Sequence, residues 1–270
     1  MKRQRFKTES YRIKIFSIGA HFENHGKALP MNIDDHIARH LANRLSLEIN
    51  CDYVGHLPYC GDREGKKARD WNPGVMEKKV VVNGICSDIK NDLSKRKKLG
   101  LSAPLCLILV SGHGGNNYLA EEQEKIRQRV KVPVLYLPPF RNIIYNHKKY
   151  GKWEMTHADH AEHSVAAFLG LVDEKNLQKI NNLASKNPIK ALKEDPAIMG
   201  LGGFVLPEIS GEKYKSLRDR HPELVATARK FILKDKKIIV DKKVGELFIE
   251  KAIKNAKKII HSFIEKNHLN

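Results

Sequence analysis

The chain of 270 residues has no unbroken apolar run of about 18 residues, the length a membrane-spanning helix needs. Its opening, MKRQRFKTES, is basic with no apolar stretch behind it, so a secretory leader is not expected and a cytoplasmic protein with no membrane partner is. Cysteine is scarce. Cys51, Cys60, Cys86 and Cys106 lie far apart without a CxxC pair, which argues against a zinc ribbon or a disulfide framework and leaves buried free thiols. Aromatic residues, 7% of the chain, do not interleave with the basic ones as a single-strand stacking platform requires. Neither GxGxxG nor GxxxxGK[ST] occurs, so the usual dinucleotide and P-loop signatures are absent.

Charge, by contrast, is plentiful and lopsided: 49 Lys and Arg against 31 Asp and Glu give +18. Such a balance suits nucleic acid, a membrane surface or a phosphorylated small molecule. The basic residues are spread along the chain and often matched locally, as in EEQEKIRQR (121–129), which reads as a solvated helix face. No nucleic acid is therefore expected as partner. The remote alternative is a basic nucleic-acid-binding protein, whose affinity would fall steeply with salt and survive chelation.

The length suits one large α/β domain over 1–270, with residues 1–10 flexible. YRIKIFSIG (11–19) alternates and then turns fully apolar, the look of a strand entering a covered sheet. Ile37, Leu41, Leu45 and Ile49 predict a helix from Asp34 or Asp35, with an acidic residue suited to its N-cap. CDYVGHLPY (51–59) is a second strand and runs into a long charged loop, CGDREGKKARDWNPG. A helix over 77–99 ends in Lys95 to Lys98 and Gly100. PLCLILV (104–110) is the strongest strand, a helix follows over 118–130, and 132–137 is a fourth strand. The fold expected is a mostly parallel central sheet with helices on both faces.

Three stretches carry chemistry. In AHFENHGKALPMNID (20–34), Glu23 and His25 are two apart and converge if the chain is extended; Gly26 and Pro30 let it return to Asp34. Asp34 is either a ligand or merely the helix cap. Oxygen and nitrogen donors without thiolate suit iron(II), zinc, manganese or cobalt. SGHGGNN (111–117) breaks from the apolar strand with His113 on a glycine crest, the place where open α/β sheets put ligands. THADHAEHS (156–164) gathers three histidines, an Asp and a Glu at a helix start, too many polar groups for core packing. His160 and Glu162 cannot share one helical face there. The segments from Asp173 onward, including MGLGGF (199–204) and the last helix from about Lys242, read as scaffold and cover.

Together, GAHFENHGKALPMNID, SGHGGNN and THADHAEHS resemble the signature of the creatininase-like amidohydrolase family, over roughly residues 12–170. FENHGKALP looks most like its archaeal deformylase branch, which acts on a formylamino ribosylaminopyrimidinone phosphate on the way to riboflavin and the deazaflavin coenzyme. The resemblance implies two divalent metals per subunit, iron(II) favoured and zinc or manganese possible. Glu23, Asp34 and His113 would hold one metal, and His25 with Asp34 the second, Asp34 bridging; Glu162 is implied as a further ligand of the second. His157 matches a histidine placed for proton transfer. His160 and Asp159 depart from the family's usual Glu and Gly, which leaves His160 open between ligand, acid/base group and substrate contact. The partner implied is a phosphorylated pyrimidine, and assembly into a homo-oligomer is expected by analogy. Candidate phosphate contacts are Lys66, Lys67 and Arg69 in the charged loop and Gly114, Gly115 and Asn116 after the third strand. The alternative activity is a related amidohydrolase acting on a cyclic amide or a peptide.

Overall fold

The computed structural model describes residues 12–269; the expectation for residues 1–10 falls outside them. The described residues form two compact units, one of 12–22, Asp34–Pro139 and 252–269, the other of Glu23–Ile33 and Phe140–Lys251.

The first unit holds a four-stranded sheet in the order β2-β1-β3-β4, with β1 Ile13–Ile18, β2 Asp52–Leu57, β3 Cys106–Ser111 and β4 Val134–Leu137. All neighbours are parallel, and Ile18 lies level with both Leu57 and Ser111, so the three strands end together. Parallel strands need long crossovers, here α1 Ile33–Glu48, α2 Lys78–Lys98 and α3 Leu119–Val130. Alternate residues Phe16, Ile18, Leu107 and Leu109 pack in one core with Val81, Val82, Ile85 and Ile89 of α2 and Leu119, Ile126 and Val130 of α3. The opposite-facing Ile15, Ile108 and Val110 are fully buried as well, which is why these strands read as continuous apolar runs. Lys14 is buried on β1 because Asp92 (3.0 Å) and Asp52 (3.3 Å) neutralise it.

The second unit contains an antiparallel hairpin, β5 Ile144–His147 and β6 Gly151–Glu154, which the periodicity does not announce. It continues through α4 His160–Phe168, α5 Glu174–Lys186, α6 Pro188–Glu194, α7 Ile198–Val205, two short turns and α8 Pro222–Lys230, then a π-type turn Phe231–Asp235 and the start of α9 Lys242–Lys266. Inside α7, Met199, Gly200 and Leu201 are all left-handed (φ 52°, 72° and 57°), costly for the two residues with side chains. Among the described residues no helix is long and apolar enough to cross a membrane.

Candidate metal centre

In the second unit the loop carrying Glu23 and His25 meets the turn before α4. His25 Nδ1 lies 3.1 Å from the carbonyl of Glu23. A carbonyl only accepts, so Nδ1 bears the proton and, in the neutral ring, Nε2 presents its lone pair. That atom is 3.9 Å from Glu23 Oε2 and 3.8 Å from Glu162 Oε2. His157 is fixed in the same manner but the other way round: Nε2 donates to the carbonyl of Asn24 at 2.7 Å, leaving Nδ1 facing Glu23 Oε1 at 3.6 Å. The two imidazoles stack with centroids 4.2 Å apart. Glu23, His25 and His157 each offer one donor atom within 4.8 Å of the others.

This grouping is built by strained backbone. Ala158 has φ 45°, and its N–H donates to Glu162 Oε2 at 2.5 Å, so the turn grips the carboxylate. Asp159 caps α4: Oδ1 accepts the Glu162 N–H, and Oδ2 accepts from Thr156 N and Oγ1. Burial raises the Asp159 pKa despite these bonds. The left-handed turn of α7 closes the far side, Met199 N–H on the carbonyl of Ala158 (3.0 Å) and Gly200 N–H on that of His157 (2.7 Å). Gly26, at φ 85°, must be glycine, because a Cβ would overlap Ile198; next to it the Lys27 N–H donates to buried Asp195 at 2.9 Å.

In the first unit α1 begins at Ile33, so Asp34 lies inside its first turn and is not the N-cap. Its Oδ2 is 2.9 Å from His113 Nδ1, and both residues are buried. Asp35 turns to a different network, with His56 Nε2 at 3.0 Å and His21 Nδ1 at 2.9 Å. Burial raises its pKa, but the hydrogen bonds from His56 and His21 outweigh that and hold it below the usual carboxylate range.

Two of the expected site residues are already engaged within the protein. Both nitrogens of His160 are engaged, Nε2 with Asp235 at 2.9 Å and Nδ1 with the Ile239 N–H at 3.1 Å. This ring lines a cavity of about 250 Å³ with Trp153, Thr156, Met199, Lys230 and Asp235. Asn116, fully buried, accepts from Gly61 N–H (3.0 Å) and donates to the Gly19 carbonyl (3.1 Å), bracing the loops after β1, β2 and β3. Lys66, Lys67 and Arg69 are exposed on a 3-10 turn, Gly65–Asp70, and Gly114 has open space where a side chain would be. Sequence reasoning missed Asp35 with His56, Asp195 and Asp235, each of whose partners is distant in the chain.

The four-stranded parallel sheet with its covering helices is the fold of creatininase: a crystal structure of creatinine amidohydrolase superposes with a TM-score of 0.55 at 14% identity, covering 97% of this chain and 96% of that one. No family model matches the sequence. The chain shares the creatininase fold and is similar in sequence to archaeal deformylases. A relative from Methanobrevibacter ruminantium, named 2-amino-5-formylamino-6-ribosylaminopyrimidin-4(3H)-one 5'-monophosphate deformylase, is 28% identical over 195 residues, 70% of this chain and 74% of the relative. One from Methanobrevibacter smithii with the same name is 25% identical over 244 residues, 90% of this chain and 87% of the relative.

Proposed function

We propose that the chain is a metal-dependent amide hydrolase that removes formate from 2-amino-5-formylamino-6-ribosylaminopyrimidin-4(3H)-one 5'-monophosphate, the compound for which its sequence relatives are named. The observation that carries the reading is His25, whose tautomer is set by a backbone carbonyl so that Nε2 faces two buried carboxylates, Glu23 and Glu162. Such a set favours a cation. The metal ligands assigned are Glu23, His25, Asp34, His113 and Glu162. All are oxygen or nitrogen donors, which suit iron(II), zinc or manganese. Solved creatininases include a manganese form and a zinc–zinc form, which supports a two-metal reading.

A bound divalent metal supplies Lewis acidity to the formyl group and acidifies water. The protein must then deliver a proton to the departing amine. His157 is suited to that task, because Nε2 is committed to Asn24 and only Nδ1, on the Glu23 side, exchanges its proton. Water adds to the formyl carbon, the C–N bond breaks, and the products are the 5-amino pyrimidine and formate. Lys66, Lys67 and Arg69, with the Gly114 and Gly115 amides, remain the candidate phosphate contacts. A cytoplasmic homo-oligomer serving riboflavin and deazaflavin coenzyme synthesis completes the reading.

The test is formate release from the formylamino pyrimidine phosphate by protein purified without oxygen and assayed before and after chelation. Turnover that is lost on chelation and restored by metal is expected. Metal-loaded protein that releases no formate from this compound but hydrolyses a cyclic amide or peptide would overturn the substrate assignment.

A further inference from the structure

The loop after β2 brings a second carboxylate to the first-unit pair of Asp34 and His113. Asp62 is 7% exposed, and its Oδ1 accepts the Glu64 N–H at 2.6 Å, closing a tight local turn. Its Oδ2 has no hydrogen-bond or ion-pair partner among the described residues. Gly115 shows where that oxygen is aimed. A Cβ added there would overlap His113 Nε2 and lie 2.8 Å from Asp62 Oδ2, so the two atoms flank one point that glycine alone leaves open.

The other ring nitrogen, His113 Nδ1, is 2.9 Å from Asp34 Oδ2. Two donors on one ion, each bound at roughly 2.0–2.2 Å, are spaced in this way. If Nδ1 binds metal, the ring's remaining proton must sit on Nε2, the side that faces Asp62. Metal-bound histidines commonly give that second N–H to a carboxylate, which fixes the tautomer and the ring orientation and strengthens the donor. We infer that Asp62 is the positioning carboxylate for His113, accepting from Nε2 across the gap kept by Gly115, directly or through one water. This rests on the reading of Asp34 and His113 as ligands of a shared cation.

Asp62→Asn separates the role from folding, since an amide oxygen can still accept the Glu64 N–H while the other position becomes a donor that cannot accept from Nε2. Titration calorimetry with Zn²⁺ or Mn²⁺ should show about 10- to 100-fold weaker binding at unchanged stoichiometry, with the unfolding temperature of the metal-free protein unmoved. Asp62→Glu should recover part of the loss, and Gly115→Ala should reproduce it with Asp62 intact. In the Zn²⁺-loaded protein, ¹⁵N NMR should find the His113 proton on Nε2. Wild-type affinity in both Asp62→Asn and Asp62→Ala would overturn the inference, as would disappearance of a whole metal equivalent, which would make Asp62 a ligand. Wild-type protein that binds neither metal would instead remove the ligand reading beneath it, and this inference with it.

Discussion

His160 donates through Nε2 to Asp235 Oδ2 at 2.9 Å, and the same ring accepts the Ile239 amide at 3.1 Å, so one imidazole ties the start of α4 to a segment 75 to 79 residues further along. Burial raises the Asp235 pKa, but the hydrogen bond from His160, with Lys230 at 3.5 Å, more than reverses this. The pair is therefore a tether. Asp235→Ala should lower stability by about 1–3 kcal/mol, the cost of stranding a buried partner, and lower kcat only modestly. Urea unfolding beside steady-state kinetics checks this; a hundredfold fall in kcat for His160→Asn at unchanged stability would restore His160 as an acid/base group.

His157 is placed differently, with one nitrogen on the Asn24 carbonyl and the other toward Glu23. His157→Gln should reduce kcat by about 10²- to 10⁴-fold, the usual worth of a positioned proton donor. Metal content, read by elemental analysis, should stay at the wild-type value. A parallel loss of metal would make His157 a ligand.

Asn116→Ala should destabilise the first unit by about 2–4 kcal/mol, because it strands the Gly61 N–H and the Gly19 carbonyl in a buried place. Asn116→Asp should be nearly as harmful, since a carboxylate cannot donate to Gly19. Thermal and urea melts give the measurement, and a variant as stable as wild type would refute the bracing role.

His163 sets a pH dependence. Burial lowers its pKa from 6.5 to about 3, while Nδ1 donates to the Asp159 carbonyl at 2.9 Å. The unfolded chain therefore binds a proton that the folded chain refuses between about pH 6.5 and about pH 3. Stability falls as pH drops through that window, by about 1.4 kcal/mol per pH unit for one proton. His163→Gln should flatten the slope by about one proton; an equal slope in the two proteins would place the effect elsewhere.

Much of the first unit was legible because its signals are local. PLCLILV is apolar throughout since both faces of β3 are covered, and Ile37, Leu41 and Leu45 keep helical spacing because one side of α1 is buried. The hairpin was not legible: IYNH and GKWE are only four residues each and bury only Trp153 fully, and in IYNH it is the apolar Ile144 that is exposed. Glu23, His25, His113, His157 and Glu162 stood out by residue type in glycine-rich or histidine-rich settings. Asp62 and Asp235 did not, since DREGKK and KDKK look like solvated charge and their partners meet them only in three dimensions. Asp159 looked like chemistry and is a helix cap, a role that any Asp before a helix can fill.

The hydrogen bond from His157 to the Asn24 carbonyl joins residues 133 apart, and the left-handed turn that holds the His157 carbonyl lies further along the chain. A nascent chain can complete the parallel sheet once residue 137 has emerged, but Glu23 and His25 must wait for residues 157–200 before their cluster exists. Closing so long a loop is slow compared with forming the local helices. The grouping of Glu23, His25 and His157 is thus among the last features of the second unit that synthesis can complete.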